Sequence, residues 1–210
     1  MATVRYTPTA LAALPHTPDG EQLLIYPWQA PDDRKAILDE MAAEGAHAPK
    51  VQWIVRGVIA GLAQHLRRMP TPQEIAQSLL DALYELVEYR NDPASDQDFY
   101  QPVLITLRPV PGNPISPITG QPKGIGDCED TSVLYAAFAN AVPLVSGIPM
   151  SGRVEWLSQP DSPQNHVAAS VTLPSGRAWA ETTIAGARIG EHPYAVLARL
   201  GNQHAAHITG

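Results

Sequence analysis

The stretch that decides the fold is Gly126-Asp127-Cys128-Glu129-Asp130, which carries the single cysteine of the 210-residue chain. A glycine and an aspartate ahead of a helix-compatible run predict a turn followed by a helix that begins at Cys128. Backbone N–H groups in the first turn of a helix stabilise a thiolate, and the Cys128 N–H is free to face an oxyanion. We interpret Cys128 as a nucleophile, against the alternative of a small buried apolar side chain.

The acidic neighbours of Cys128 oppose thiolate formation, so the site needs a cationic partner that also moves protons. Histidine is the side chain that meets both requirements. Of the seven histidines, six are interpreted as solvated, capping or tail residues: His16, His47, His65, His192, His204 and His207. His166 opens a strand in the region after the cysteine helix, and we predict that it is the base.

Two strand-like segments, His166 to Leu173 and Arg177 to Thr183, flank a Pro-Ser-Gly turn and predict a β-hairpin. Antiparallel pairing places Glu181 or Thr182 beside His166. An imidazole needs an acceptor on its second nitrogen to hold the tautomer required for catalysis. Glu181 is the carboxylate of that strand and is the predicted orienting group; a solvent-facing strand residue is the alternative.

Helical spacing of apolar residues and a capping box at Thr71-Pro72-Gln73-Glu74 predict three helices before the cysteine, with bounds near 32–45, 49–69 and 71–89. The Pro-rich stretch from Asn91 to Gly126 predicts mostly irregular coil. The elements expected after it are a helix over 128–141, strands over 152–157, 166–173 and 177–183, and a short helix over 193–200.

Helices first and an antiparallel sheet last are typical of an α+β fold, here with the N-terminal helices and the cysteine helix packed on the sheet. We expect an N-terminal arm with a short helix over residues 1–50 and the main domain over residues 51–210.

Composition excludes several classes of function. The formal net charge is −7 and the pI is near 5.4, which argues against nucleic acid and anionic membranes as partners. No secretory signal is recognised, so a cytoplasmic location is expected. Gly124-Ile125-Gly126 lacks the third glycine of a dinucleotide site, so no cofactor is expected. His204 and His207 lie in a polar tail, a poor metal site, and no metal is expected.

The chain resembles the bacterial and bacteriophage transglutaminase-like superfamily in the order and spacing of five segments: Tyr89 through Pro93, Gly126-Asp127-Cys128-Glu129-Asp130, Gly147-Ile148-Pro149, Asn165-His166-Val167 and Trp179-Ala180-Glu181. The resemblance covers residues 71–183 well. It implies a papain-like core with Cys128 as nucleophile, His166 as base and Glu181 at the position of the family's aspartate.

Members of the superfamily perform acyl transfer through a thioester, so the resemblance implies a cysteine peptidase, amidase or crosslinking transglutaminase acting on a protein or peptide. The alternative is a bacteriophage virion component that contacts neighbouring subunits, with activity optional or lost. Glutamate for aspartate and a longer loop over residues 108–123 depart from the family pattern. Asp127 and Asp130 are expected to be structural. Gln101 and Gln121 are the candidates for the side-chain donor of the oxyanion hole.

Overall fold

Three helices precede the cysteine. The structure, a computed structural model, describes residues 24–26, 31–90, 98–157 and 166–208; most of the predicted N-terminal arm lies outside these residues. The helices are α1 (Pro31–Gly45), α2 (Pro49–Leu66) and α3 (Pro72–Leu86). Helix α2 ends earlier than expected, at Leu66, and the next residue, Arg67, has a left-handed φ of 54°.

The capping box that begins α3 is confirmed. The Thr71 Oγ1 atom accepts from the Glu74 N–H at 3.3 Å, and the Glu74 carboxylate accepts from the Thr71 N–H at 2.7 Å. The predicted end of this helix near Tyr89 is wrong, because the chain leaves the helix at Leu86 and forms strand β2 (Val87–Tyr89).

Short elements occupy the Pro-rich region that the sequence predicted as coil. Strand β1 (Leu24–Tyr26) pairs antiparallel with β3 (Asp98–Tyr100). A one-turn helix, α4 (Val103–Thr106), follows. Strand β4 (Gly124–Gly126) pairs parallel with β2, so that Tyr89 lies opposite Gly126. This pairing holds the end of β2 against the turn that precedes Cys128.

The central element is α5 (Cys128–Ser146), which begins at the cysteine as predicted. Asp127 caps it, because its Oδ1 accepts from the Glu129 and Asp130 N–H groups at 3.1 and 3.3 Å. The helix continues past the predicted end at Ala141, includes Pro143 and ends at Ser146, followed by Gly147 in the left-handed conformation. Its side chains are buried along most of its length, as expected for a helix surrounded by other elements.

A three-stranded antiparallel sheet packs against α5, with strands in the order β5 (Ser151–Leu157), β6 (His166–Leu173) and β7 (Gly176–Ala180). Strand β7 ends three residues before the predicted Thr183. The last helix, α6 (Pro193–Ile208), runs through Gly201, where the sequence predicted its end.

Helices and a small antiparallel sheet share one apolar core, an arrangement compatible with the α+β class. Leu38 and Ala42 of α1 belong to this core, so the N-terminal helix packs with elements beyond residue 50; the boundary at that residue stays a prediction. Within the described residues, the helices are too short or too polar to cross a membrane.

Candidate active site

Cys128 is the first residue of α5, at the end of the helix whose backbone N–H groups have no partner within the helix. The residue is partly buried, between the capped turn on one side and the start of β6 on the other. The carboxylate of Asp127 accepts hydrogen bonds from two N–H groups of the first turn. The Asp127 carboxylate therefore partly neutralises the positive end of the helix dipole, which would otherwise stabilise a thiolate at Cys128.

The sulfur has two polar contacts of opposite effect. The Cys128 thiol donates to Glu129 Oε2 at 2.8 Å, and the Val167 N–H favours the thiolate. Burial raises the pKa of the Cys128 thiol well above its ordinary value, and the negative charges of Glu129 and Asp127 raise it further. In this arrangement the sulfur is protonated at neutral pH.

His166 and Glu181 are in direct contact. The His166 Nε2 lies 2.7 Å from Glu181 Oε2, and the Glu181 side chain is fully buried. The other oxygen of Glu181 accepts from the N–H and hydroxyl of Thr183, at 2.8 and 2.6 Å. A carboxylate fixed through both oxygens favours the His166 tautomer with its proton on Nε2, which leaves Nδ1 as the basic nitrogen.

Hydroxyl groups fix the start of α5 against the hairpin. Thr182 Oγ1 lies 3.1 Å from Thr131 Oγ1 and 2.9 Å from Ser132 Oγ. Ser132 also donates to the Val167 carbonyl at 3.3 Å. The bonds connect the helix that carries Cys128 to the strand that carries His166 and to the segment beside Glu181.

The structure therefore places all three predicted residues around the same junction of helix and hairpin. His166 and Glu181 are hydrogen-bonded to each other. Among the described residues, no hydrogen bond joins the Cys128 thiol to the His166 ring. The thiol donates to Glu129 instead. From the sequence, Glu129 was expected only to oppose thiolate formation at Cys128.

The two glutamines predicted as oxyanion donors have other positions. The Gln101 N–H and Nε2 both donate to the Asp130 carboxylate, at 2.8 and 2.6 Å. Asp130 in turn accepts from the Asp127 N–H at 3.4 Å, which agrees with the structural roles expected of the two aspartates. Gln121 is exposed in the loop before β4, where its N–H donates to Thr119.

Tyr89 lies beside this site, although the sequence predicted no role for it. It lies at the end of β2 opposite Gly126, and the Arg90 N–H donates to the Gly126 carbonyl at 3.1 Å. Burial raises the pKa of the Tyr89 phenol, and four nearby acidic groups raise it further: Cys128, Asp127, Glu129 and Glu181. The signal in the sequence was its place in the first of the five family-like segments.

Asp127, Cys128 and Glu129 offer three potential metal ligands within 4.8 Å of one another. All three already have partners, because Asp127 caps the helix and the Cys128 thiol donates to Glu129. This donor set fits a capped helix start better than a metal centre. The side chains of His204 and His207 lie outside the described part of the chain.

No protein-family model, curated protein or solved structure matches this chain. The resemblance to the transglutaminase-like superfamily accordingly depends on the motifs and on the site described above.

Proposed function

We propose that this chain is a transglutaminase-like cysteine enzyme that transfers acyl groups of protein or peptide amides through a thioester. The observation that carries the proposal is the 2.7 Å contact between His166 Nε2 and the buried carboxylate of Glu181. A strand histidine with a fixed tautomer has an evident use when a cysteine at the first position of a helix lies beside the same strand.

The proposed chemistry has two stages. The Cys128 proton passes to His166, and the thiolate sulfur bonds to the carbonyl carbon of the amide, whose electron pair moves to oxygen. When the carbonyl reforms, the C–N bond breaks and His166 returns the proton to the leaving amine. Water or a second amine then attacks the thioester, giving hydrolysis or crosslinking, and its proton passes through His166 to the departing sulfur.

The bond between the thiol and Glu129 defines a step that must precede catalysis. While Glu129 accepts the proton of Cys128, the His166 ring does not have it. A change of the Glu129 or Cys128 rotamer, of the kind that substrate binding produces, brings the thiol to the imidazole. Catalytic hydrogen bonds are often absent before substrate binds.

A second candidate follows from the same contact. A bacteriophage virion component could keep this fold without its chemistry, and a thiol that is protonated and bonded to a carboxylate favours such a role. Whether the protein is located in the virion or in the cytoplasm depends on which candidate function is right.

The first prediction separates the two candidates by the reactivity of Cys128. We expect iodoacetamide to alkylate Cys128 in the neutral pH range, because transient pairing with His166 creates a thiolate. His166→Ala should move the alkylation profile to the higher pH of an unassisted thiol, as followed by mass spectrometry. His65→Ala, which removes an exposed histidine of α2, is the matched control. Identical profiles for the parent and His166→Ala would reject the enzyme and favour the virion component.

A further inference from the structure

The proposed acyl transfer requires the Glu181 carboxylate to keep one orientation. Its Oε2 must face His166 Nε2 through each proton transfer, so that the imidazole keeps the tautomer in which Nδ1 is free. Glutamate has three side-chain dihedral angles and loses more rotamer freedom than most residues when it is ordered. Burial removes water from this side chain, so its carboxylate also needs hydrogen-bond donors from the protein. The groups that donate to Glu181 therefore decide where its oxygens point.

Thr183 supplies two of these donors. Its N–H and its hydroxyl donate to Glu181 Oε1 at 2.8 and 2.6 Å, while His166 Nε2 lies 2.7 Å from Oε2. Both oxygens of the carboxylate are thus engaged, and a rotation of the carboxylate group would break the bonds to Thr183. Hydrogen bonds to an ionised carboxylate are stronger than those between neutral groups. Thr183 therefore restrains the oxygen opposite to the one that contacts His166.

Other hydroxyl groups fix the main chain around Glu181. The Tyr84 hydroxyl donates to the main-chain carbonyl of Glu181 at 2.5 Å. Thr182 Oγ1 lies 2.9 Å from Ser132 Oγ, which connects the next residue of the segment to α5. The N–H of Thr183 is also retained when its side chain is changed. Loss of the Thr183 hydroxyl should therefore free the Glu181 carboxylate while the chain on either side keeps its hydrogen bonds.

We infer that Thr183 is a positioning residue of the proposed enzyme: its hydroxyl holds Glu181 in the orientation in which the carboxylate fixes the tautomer of His166. This inference rests on the proposed acyl transfer and adds a fourth residue to Cys128, His166 and Glu181. The Thr183 hydroxyl bonds to the carboxylate and acts on the imidazole through it. The rate at which Cys128 is acylated should consequently depend on a side chain that takes no part in proton transfer.

The test replaces Thr183 by valine, which has a similar shape and lacks the hydroxyl. The ¹⁵N chemical shifts of the His166 ring, identified by their loss in His166→Ala, report which nitrogen carries the proton. Thr183→Val should lower the fraction of the tautomer protonated on Nε2 and slow acylation of Cys128 by 4-nitrophenyl acetate by about 10- to 100-fold. Thr183→Ser, which restores the hydroxyl, should keep both near the parent values. Thr172→Val, at an exposed position of β6, is the matched control and should change neither.

A double-mutant cycle separates positioning from a general structural role. In His166→Ala there is no imidazole to orient, so adding Thr183→Val should change the residual acylation rate by less than about twofold. A residue that only stabilised the fold would lower the rate in both backgrounds. Release of 4-nitrophenolate gives the rate, and circular dichroism checks that each variant is folded.

Each other outcome overturns the inference. An unchanged His166 tautomer in Thr183→Val means that Glu181 keeps its direction without the hydroxyl. An equal loss of rate in the His166→Ala background, or a loss that Thr183→Ser shares, means that Thr183 is only structural. If the parent releases nitrophenolate no faster than Cys128→Ala, the proposed enzyme itself fails; the tautomer of His166, which is measured without turnover, still decides whether Thr183 holds Glu181.

Discussion

At the scale of single residues, Glu129 is the hydrogen-bond partner of the Cys128 thiol. Its carboxylate accepts the thiol proton at 2.8 Å and adds to the effect of burial in raising the pKa of Cys128. Opposing it is the Val167 N–H, which favours the thiolate; in the proposed mechanism the His166 imidazole, which is bonded to Glu181, does the same. Reactivity at neutral pH depends on which of these partners the sulfur has.

Replacing Glu129 by glutamine tests this balance. Glutamine retains an oxygen that can accept the thiol proton but removes the negative charge, so the pKa of Cys128 should fall and alkylation by iodoacetamide should begin at lower pH. The profile is measured from the mass of the labelled protein at each pH. Glu44→Gln, on an exposed position of α1, should leave it unchanged. A shift of the Glu129→Gln profile to higher pH would mean that Glu129 assists the thiolate.

At the scale of elements, the sequence predicts what local signals encode. The capping box at Thr71 and the helix start at Cys128 are confirmed because caps act within four residues. The strand β2 was missed because it has three residues and its partner is distant in the chain. The extension of α5 past Ala141 was missed because Pro143 normally interrupts a helix, and here tertiary packing outweighs that preference.

The contacts of the candidate site also differ in whether local sequence patterns predict them. Contact between His166 and Glu181 follows from a hairpin readable in the sequence. The place of Tyr89 required the pairing of β2 with β4, and the bond between Cys128 and Glu129 depends on side-chain rotamers, which no sequence pattern reports.

Close packing of β5 on α5 gives a prediction for these elements. A Cβ atom at Gly152 would lie 2.6 Å from the Cα and the carbonyl oxygen of Ala136, both backbone atoms. Gly152→Ala should therefore lower the free energy of unfolding by about 1–3 kcal/mol or more, measured in urea. The control is Gly57→Ala in α2, where a Cβ meets nothing within 4 Å; it should raise stability by about 0.5–1 kcal/mol. Equal effects of the two changes would contradict this packing.

At the scale of the whole molecule, α1 closes the open edge of the sheet. Asp39 Oδ1 accepts from the Val154 N–H at 2.8 Å, and Lys35 Nζ donates to the Val154 carbonyl. Strand β5 is at one end of the order β5-β6-β7, so these bonds satisfy backbone groups that an edge strand leaves unpaired. The helix thereby joins the framework that holds the proposed catalytic residues, although it precedes residue 50.

Removing an apolar side chain from α1 measures how far this helix belongs to the fold. Leu38 is 0% exposed and packs in the common core, so Leu38→Ala should lower the free energy of unfolding by about 2–5 kcal/mol. Leu144→Ala removes the same atoms from a side chain that is 48% exposed and should cost less than about 1 kcal/mol. Urea unfolding of both variants gives the comparison. Because a helix inside the cooperative unit unfolds with it, a cost for Leu38→Ala no greater than for Leu144→Ala would make residues 1–50 an appended arm, as the sequence alone predicts.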